Sequence, residues 1–273
     1  MISGWRYYNH ALLPDCAPHE IPDITGMNSR EFWTNRSGLA ALARWTSNYD
    51  CDTQKNWWYI VKDDLFDISA LKAKRRYEIN KGKKNFRVEV INPRQYIKEL
   101  VDIHIKAYEK YPVQYRPKLD RNEFAKEIVS WTGNIKVFGA FSLESSKLCG
   151  FAMIIEAAAY ANFSRLKVMP SEERKGINAA LVAGMLEAYN DRLESGYYIC
   201  DGERALFHET QFQDYLEKYF GFRKAYSRLH VRFRFPFSLA IALLEPFRPI
   251  IAKLNGSVMK KLNVLLLFKE LSQ

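Results

Sequence analysis

The 273-residue sequence predicts an α/β (α+β) fold, a mixed and mostly antiparallel sheet flanked by helices. Three observations carry that expectation. From Phe86 to Phe222, apolar runs of strand length alternate with longer helical patterns. The runs over 135–143, 149–159 and 160–168 follow one another through short polar turns, as a meander does. A content of 48% hydrophobic and 14% aromatic residues supplies a large core and leaves no sign of disorder.

Taken in order, residues 1–55 are irregular, with Pro14, Pro18 and Pro22 marking an extended entry. Trp57-Trp58-Tyr59-Ile60-Val61 reads as a strand on its aromatic and β-branched content. Asp67 or Ser69 then caps a helix through Leu71 and Ile79, ended by Gly82. Its polar face is basic, with seven cations within the thirteen residues from Lys72 to Lys84. Phosphate contact and a solvated face are both open readings of that density.

Phe86 to Ile91 alternates as a strand, and 93–111 carries one apolar stripe of Tyr96, Leu100, Ile103 and Ala107. Asp120 or Asn122 opens a further helix, closed by Gly133. After the meander, Pro170-Ser171 breaks the pattern and residues 172–178 lead through Gly176 into a long helix ended by Gly196. A short strand follows at 197–200, then a helix over 211–219 stopped by Gly221, and two strands at 223–226 and 229–235. The tail, 236–273, shows two helical patterns separated by Asn255-Gly256. Core packing, peripheral membrane contact and a homodimer contact are its three readings.

A strand feeding a helix through a basic glycine turn collects free backbone N–H groups at a positive helix end, where an anion is favoured. Arg174 and Lys175 add to that field. The net charge of +10 points the same way, toward a nucleotide cofactor, a nucleic acid or an anionic membrane. Cys16, Cys51, Cys149 and Cys200 are scattered, as are the five histidines, so no structural metal is expected. The N-terminus lacks the apolar core of a signal peptide and no run reaches spanning length, so a cytoplasmic enzyme is the simplest reading.

The order of elements from Phe86, with a basic glycine turn after the third meandering strand, resembles the GNAT acyltransferase superfamily. That family's turn, Gln/Arg-x-x-Gly-x-Gly/Ala, corresponds here to Glu173-Arg174-Lys175-Gly176-Ile177-Asn178, acidic at the first position and asparagine at the last. The run 215–224 is similar to its late helix with the Y-E-K-x-G-F ending, one residue longer. Trp57 to Val61 followed by Lys72, Arg75 or Arg76, Ile79, Lys81 and Lys84 resembles the Fem-type aminoacyltransferases, which are built of GNAT-like halves. The resemblance implies three regions: 1–84, a degenerate half unit ending in the basic helix; 85–235, the GNAT-like domain; and 236–273, the helical tail.

It also implies a chemistry. Acyl-CoA, with acetyl-CoA the simplest form, would lay its diphosphate on Arg174, Lys175, Gly176, Ile177 and Asn178, and no metal would take part. A backbone N–H of Leu166 or Val168 would meet the thioester carbonyl where two strands part. Glu156, a carboxylate in an apolar strand, is a base candidate on the expectation that burial raises its pKa. His208 is a second base candidate, with Glu209 beside it at the start of the late helix, and Tyr215 or Tyr219 would protonate the thiolate. Asp201, at the end of its strand, would orient the acceptor amine.

The function expected is direct transfer from acyl-CoA to an amine of a small molecule or amino sugar. A Fem-like transferase using charged tRNA, and a GNAT-fold binding module without catalysis, are the alternatives.

Overall fold

The computed structural model describes residues 4–34, 39–111, 116–204, 206, 212–254 and 256–272. Among them are ten strands and nine α-helices, in a mixed and mostly antiparallel arrangement. The elements are β1 (Trp5–Tyr8), β2 (Ala11–Pro14), α1 (Arg30–Trp33), β3 (Leu42–Ser47), β4 (Trp57–Lys62), α2 (Ala73–Asn85) and β5 (Phe86–Ile91). There follow α3 (Ile97–Glu109), α4 (Arg121–Ser130), β6 (Ile135–Ser142), β7 (Leu148–Glu156), β8 (Tyr160–Val168) and α5 (Ile177–Glu194). The chain closes with β9 (Tyr198–Glu203), α6 (Phe212–Phe220), β10 (Arg223–Phe233), α7 (Phe237–Leu244), α8 (Arg248–Ile251) and α9 (Ser257–Leu271).

The chain groups into two compact units, 1–59 with 224–273, and 60–223. In the first, β2 pairs with β1 antiparallel and with β3 in parallel, and β10 runs antiparallel along β3. Trp5, Leu12, Met27, Phe32, Trp33, Ala40 and Ala43 form its core. The proline-marked entry therefore forms a hairpin, and the chain's two ends share one unit because β10 returns to β3. β10 is one continuous strand where the sequence suggests two.

In the second unit the strand order is β5-β6-β7-β8-β9. Every neighbour is antiparallel except β8 and β9, which are parallel. A parallel pair needs a crossover, and α5 supplies it. Helices α3 and α4 close one core around Leu100, Ile103, Phe124, Ile128 and Phe151. Helix α5 is buried on nearly all sides, so it shows no polar stripe; Ile177, Ala180, Leu181, Ala183 and Leu186 are inaccessible.

Helix α2 continues through Gly82 rather than stopping there. A Cβ on Gly82 would overlap the Gly176 carbonyl oxygen and stand 3.0 Å from the Ala180 nitrogen. The glycine is thus a contact point between α2 and α5, not a terminator. Asp67 accepts hydrogen bonds from Ser69 in the preceding turn, and α2 starts after Lys72 without a side-chain cap. Asp120 does cap α4, accepting from the amides of Asn122 and Glu123.

Candidate functional site

Strand β8 carries the feature on which the site depends. It pairs with β9 only at Tyr160–Tyr198, Ala161–Ile199 and Asn162–Cys200. Its other edge stays paired to β7 as far as Val168, opposite Gly150. The register against β7 shifts between Met153 and Ile154, which leaves Ser164 as an extra residue on β8. A bulge of this kind bends and twists the strand that carries it. Beyond Asn162 the β9-facing backbone groups of residues 163–168, Leu166 and Val168 among them, therefore have no partner in β9. The two strands part where direct transfer needs an opening.

The N-terminus of α5 stands beside that opening, since Gly150 on β7 lies against Val168, Ile177 and Leu181 together. Gly176 is the N-cap residue, in the left-handed conformation at φ 85°, and α5 begins with neither a side-chain cap nor an acidic residue in its first turn. Its leading amides are an anion site by geometry. The Oδ1 atom of Asn178 is buried without a hydrogen-bond partner.

The charges around the turn are less favourable than the sequence suggests. Lys175 sits 3.1 Å from Glu172 and 3.9 Å from Glu144, and Glu173 is held by Lys110 at 2.7 Å. Of the two turn cations only Arg174 makes no ion pair among the described residues. The surplus of positive charge lies one helix away, on α2. Its backbone touches Gly176 through Gly82, and Asn85 donates to the Lys175 carbonyl at 3.1 Å. Lys83 pairs with Glu187 and Arg76 bonds the carbonyls of Ser69 and Leu71, while Lys72, Lys74, Lys81 and Lys84 are unpaired among the described residues.

Asp201 follows Cys200, the last β9 residue paired to β8, so it sits at the mouth of the opening. Burial pushes its carboxyl up to about 7, against the opposing effect of a hydrogen bond from Gln213. A half-protonated carboxyl at neutral pH suits proton transfer. Burial also pushes the neighbouring Cys200 thiol up to about 12, so it stays un-ionised. A covalent cysteine mechanism gains nothing here.

Two sequence expectations need correction. Glu156 is not a raised-pKa base. Burial pushes its carboxyl up, but hydrogen bonds from Lys136 and Tyr189 and the charges of Lys136 and Arg192 outweigh that and hold it below the usual range. The distances are 3.0 Å to Lys136, 2.9 Å to the Tyr189 hydroxyl and 2.6 Å to Arg192. It also lies opposite Ala161, at the closed end of β8. Tyr215 sits in an aromatic cluster with Phe212, Tyr219 and Phe220, and burial followed by Tyr219 and Glu78 raises its hydroxyl further above the usual phenol. That makes it a poorer acid. Tyr219 faces the Arg75 guanidinium at 6.0 Å. His208 and Glu209 lie outside the described residues.

Sequence reading passed over Arg165 and Lys167, on the stretch of β8 that pairs with β7 but no longer with β9. Lys167 lies 3.9 Å from the Tyr108 ring centre, and burial, then Arg165, lowers its ammonium to about 8. Arg165 pairs with Glu127 at 3.1 Å. His104 of α3 is stacked on Phe124 at 3.8 Å and held near 4 by burial, then Arg165 and Lys167. Two cations two apart on a largely buried strand were the available signal.

No family model matches the chain, and no curated sequence does. Solved structures do. FemX superposes with a TM-score of 0.50 at 10% identity, over 70% of this chain and 64% of FemX. The chain shares the fold of FemX. L-PGS from Bacillus licheniformis aligns at TM-score 0.49 and 12% identity, over 90% of this chain and 84% of that one. The C-terminal domain of a putative lysylphosphatidylglycerol synthetase from Agrobacterium fabrum gives 0.48 and 13%, over 88% and 84%. The part of this chain that aligns spans just under two thirds of FemX.

Proposed function

We propose that the chain is a transferase that moves an acyl group from an activated carrier onto an amine, in the opening where β8 and β9 part. The observation that carries this reading is the three-residue pairing of β8 with β9, followed by the Ser164 bulge and the uncapped start of α5. The amine nitrogen attacks the carrier's carbonyl, the carbon–oxygen or carbon–sulfur bond to the carrier breaks, and the ammonium proton passes to Asp201. Unpaired β8 amides between residues 163 and 168 would meet the developing oxyanion. No side-chain nucleophile enters.

A charged tRNA is the carrier that the charges favour. The carboxylates of Glu172 and Glu173 offset the glycine turn, whereas α2 presents unpaired lysines beside it. A polyanion many residues long gains from such a row, and a single diphosphate gains little. Acyl-CoA is the second reading, carried by the leading α5 amides of Ile177 and Asn178, since the Gly176 amide already donates to the Glu173 carbonyl at 3.0 Å. Calorimetry separates them: tRNA binding that weakens steeply with salt supports the first, and salt-tolerant CoA binding the second. Binding of neither, with an intact fold, would leave the transferase reading without a donor and return the chain to a binding role.

A further inference from the structure

The tail forms a surface that the transferase reading does not use. Helix α7 is Phe-Ser-Leu-Ala-Ile-Ala-Leu-Leu, without a charge, yet Ile241 is its one buried residue. The three tail helices close on a small centre of Ile241, Ile251 and Leu266. Outside it, Leu239, Leu243, Phe247, Ile250, Leu254 and Val258 are each between 49% and 68% exposed. Leu239 and Leu243 lie four apart on α7, and the others follow on the turn, on α8, on the loop after it and at the start of α9. Single exposed leucines are ordinary, but six large apolar side chains exposed within twenty residues are more than water favours.

Charge identifies what covers it. Residues 236–273 hold five cations and two carboxylates. Glu270 pairs with Arg248, and Glu245 also has a partner. Lys253, Lys260 and Lys261, within a few positions of those residues in the chain, are exposed and unpaired among the described residues. Exposed leucine and phenylalanine rimmed by lysine is the pattern of an element lying in the headgroup region of an anionic bilayer. A second copy fits poorly, because a self-complementary contact would bring the same lysines together. Among the described residues no helix is long and apolar enough to cross a membrane, so the contact would be peripheral.

We infer that α7, α8 and the first turn of α9 dock this protein on an anionic lipid surface. The test is co-sedimentation, without any donor, with phosphatidylcholine vesicles and with vesicles that also contain phosphatidic acid. Phosphatidic acid carries the negative charge with neither an amine nor a headgroup hydroxyl, so binding does not report on acceptor recognition. The protein should pellet with the mixed vesicles and stay in solution with the neutral ones. Leu243→Glu with Phe247→Glu, and separately Lys260→Glu with Lys261→Glu, should each weaken partitioning at least about tenfold. All four positions are exposed, so thermal melting should not move. The inference is overturned if the wild type ignores anionic vesicles, or if both double variants bind as it does. Sedimentation velocity supplies a further outcome: wild-type dimers that the leucine–phenylalanine variant abolishes, with no vesicle binding, would assign the face to a second copy instead.

Discussion

The two ends of β8 are built on opposite principles. At the closed end, near Glu156, Ala161 and Asn162, the strand has neighbours on both edges and the one carboxylate is held by Lys136, Tyr189 and Arg192. At the open end, from Phe163 to Val168, β9 has departed and a bulge bends the strand. There Arg165, Lys167 and His104 crowd together, burial lowers Lys167 and His104, and Asp201 on β9 moves the other way. A fold satisfies its polar groups wherever only stability is at stake. At the open end the Nη1 atom of Arg165 and the Nδ1 atom of His104 are buried without a hydrogen-bond partner, which is why the site is placed there.

The largest expected effect breaks the open end. Asp201→Asn should lower the transfer rate by about a hundredfold to ten-thousandfold, the usual span for a lost general base. In the wild type the rate should climb with pH through the carboxyl's value near 7, and the Asp201→Asn variant should lose that limb. Stability moves in the opposite sense. A carboxyl raised in the folded state ionises first in the unfolded chain, so Asp201 costs stability as pH rises from about 4 toward 7. Chemical denaturation should find Asp201→Asn relatively more stable at pH 8 than at pH 4.

Gly82→Ala should come next. Glycine to alanine within a helix ordinarily gains about 1 kcal/mol. Here the added carbon meets the Gly176 carbonyl, and a net loss of about 2–3 kcal/mol is expected from overpacking against backbone. A urea melt gives the sign at once, and a gain would mean that α2 does not touch the turn.

The smallest effect belongs to the closed end. Glu156→Gln should cost about 1–2 kcal/mol at neutral pH and leave the pH–rate profile in place. Because the folded carboxyl lies below its ordinary 4.5, its contribution is complete above that pH and fades as pH falls through the folded value. Acid unfolding of the wild type and Glu156→Gln should therefore converge once the pH has fallen below the folded carboxyl's own value. A changed rate profile in Glu156→Gln would show that the two ends of β8 are not separate in function.

The second unit was largely legible, because its signals are local. Apolar runs of strand length, the Asp120 cap and the breaks at Pro170 and Gly196 fall where β6, β7, β8, α4 and α5 begin or end. What misled were residues whose role is set by a distant partner. Gly82 reads as a stop until Gly176 is seen against it. Glu156 reads as a buried base until Lys136 and Arg192 arrive from another strand and helix. The first unit was opaque for a related reason: β3 is completed by β10, some 180 residues on, and no window of sequence holds both. Core packing is one of the readings open to the tail, yet most of α7 faces water, because hydropathy alone does not say whether an apolar face finds a neighbour.

The meeting of Gly82 with Gly176 also constrains how this chain can change. When two side chains collide, shrinking one relieves the other, and a damaging replacement acquires a suppressor at the opposite position. Here both sides are already hydrogen, so neither position has anything left to give up. Repair of a lesion at either glycine would have to displace the whole of α2, and a selection for revertants should recover the original codon rather than a compensating one.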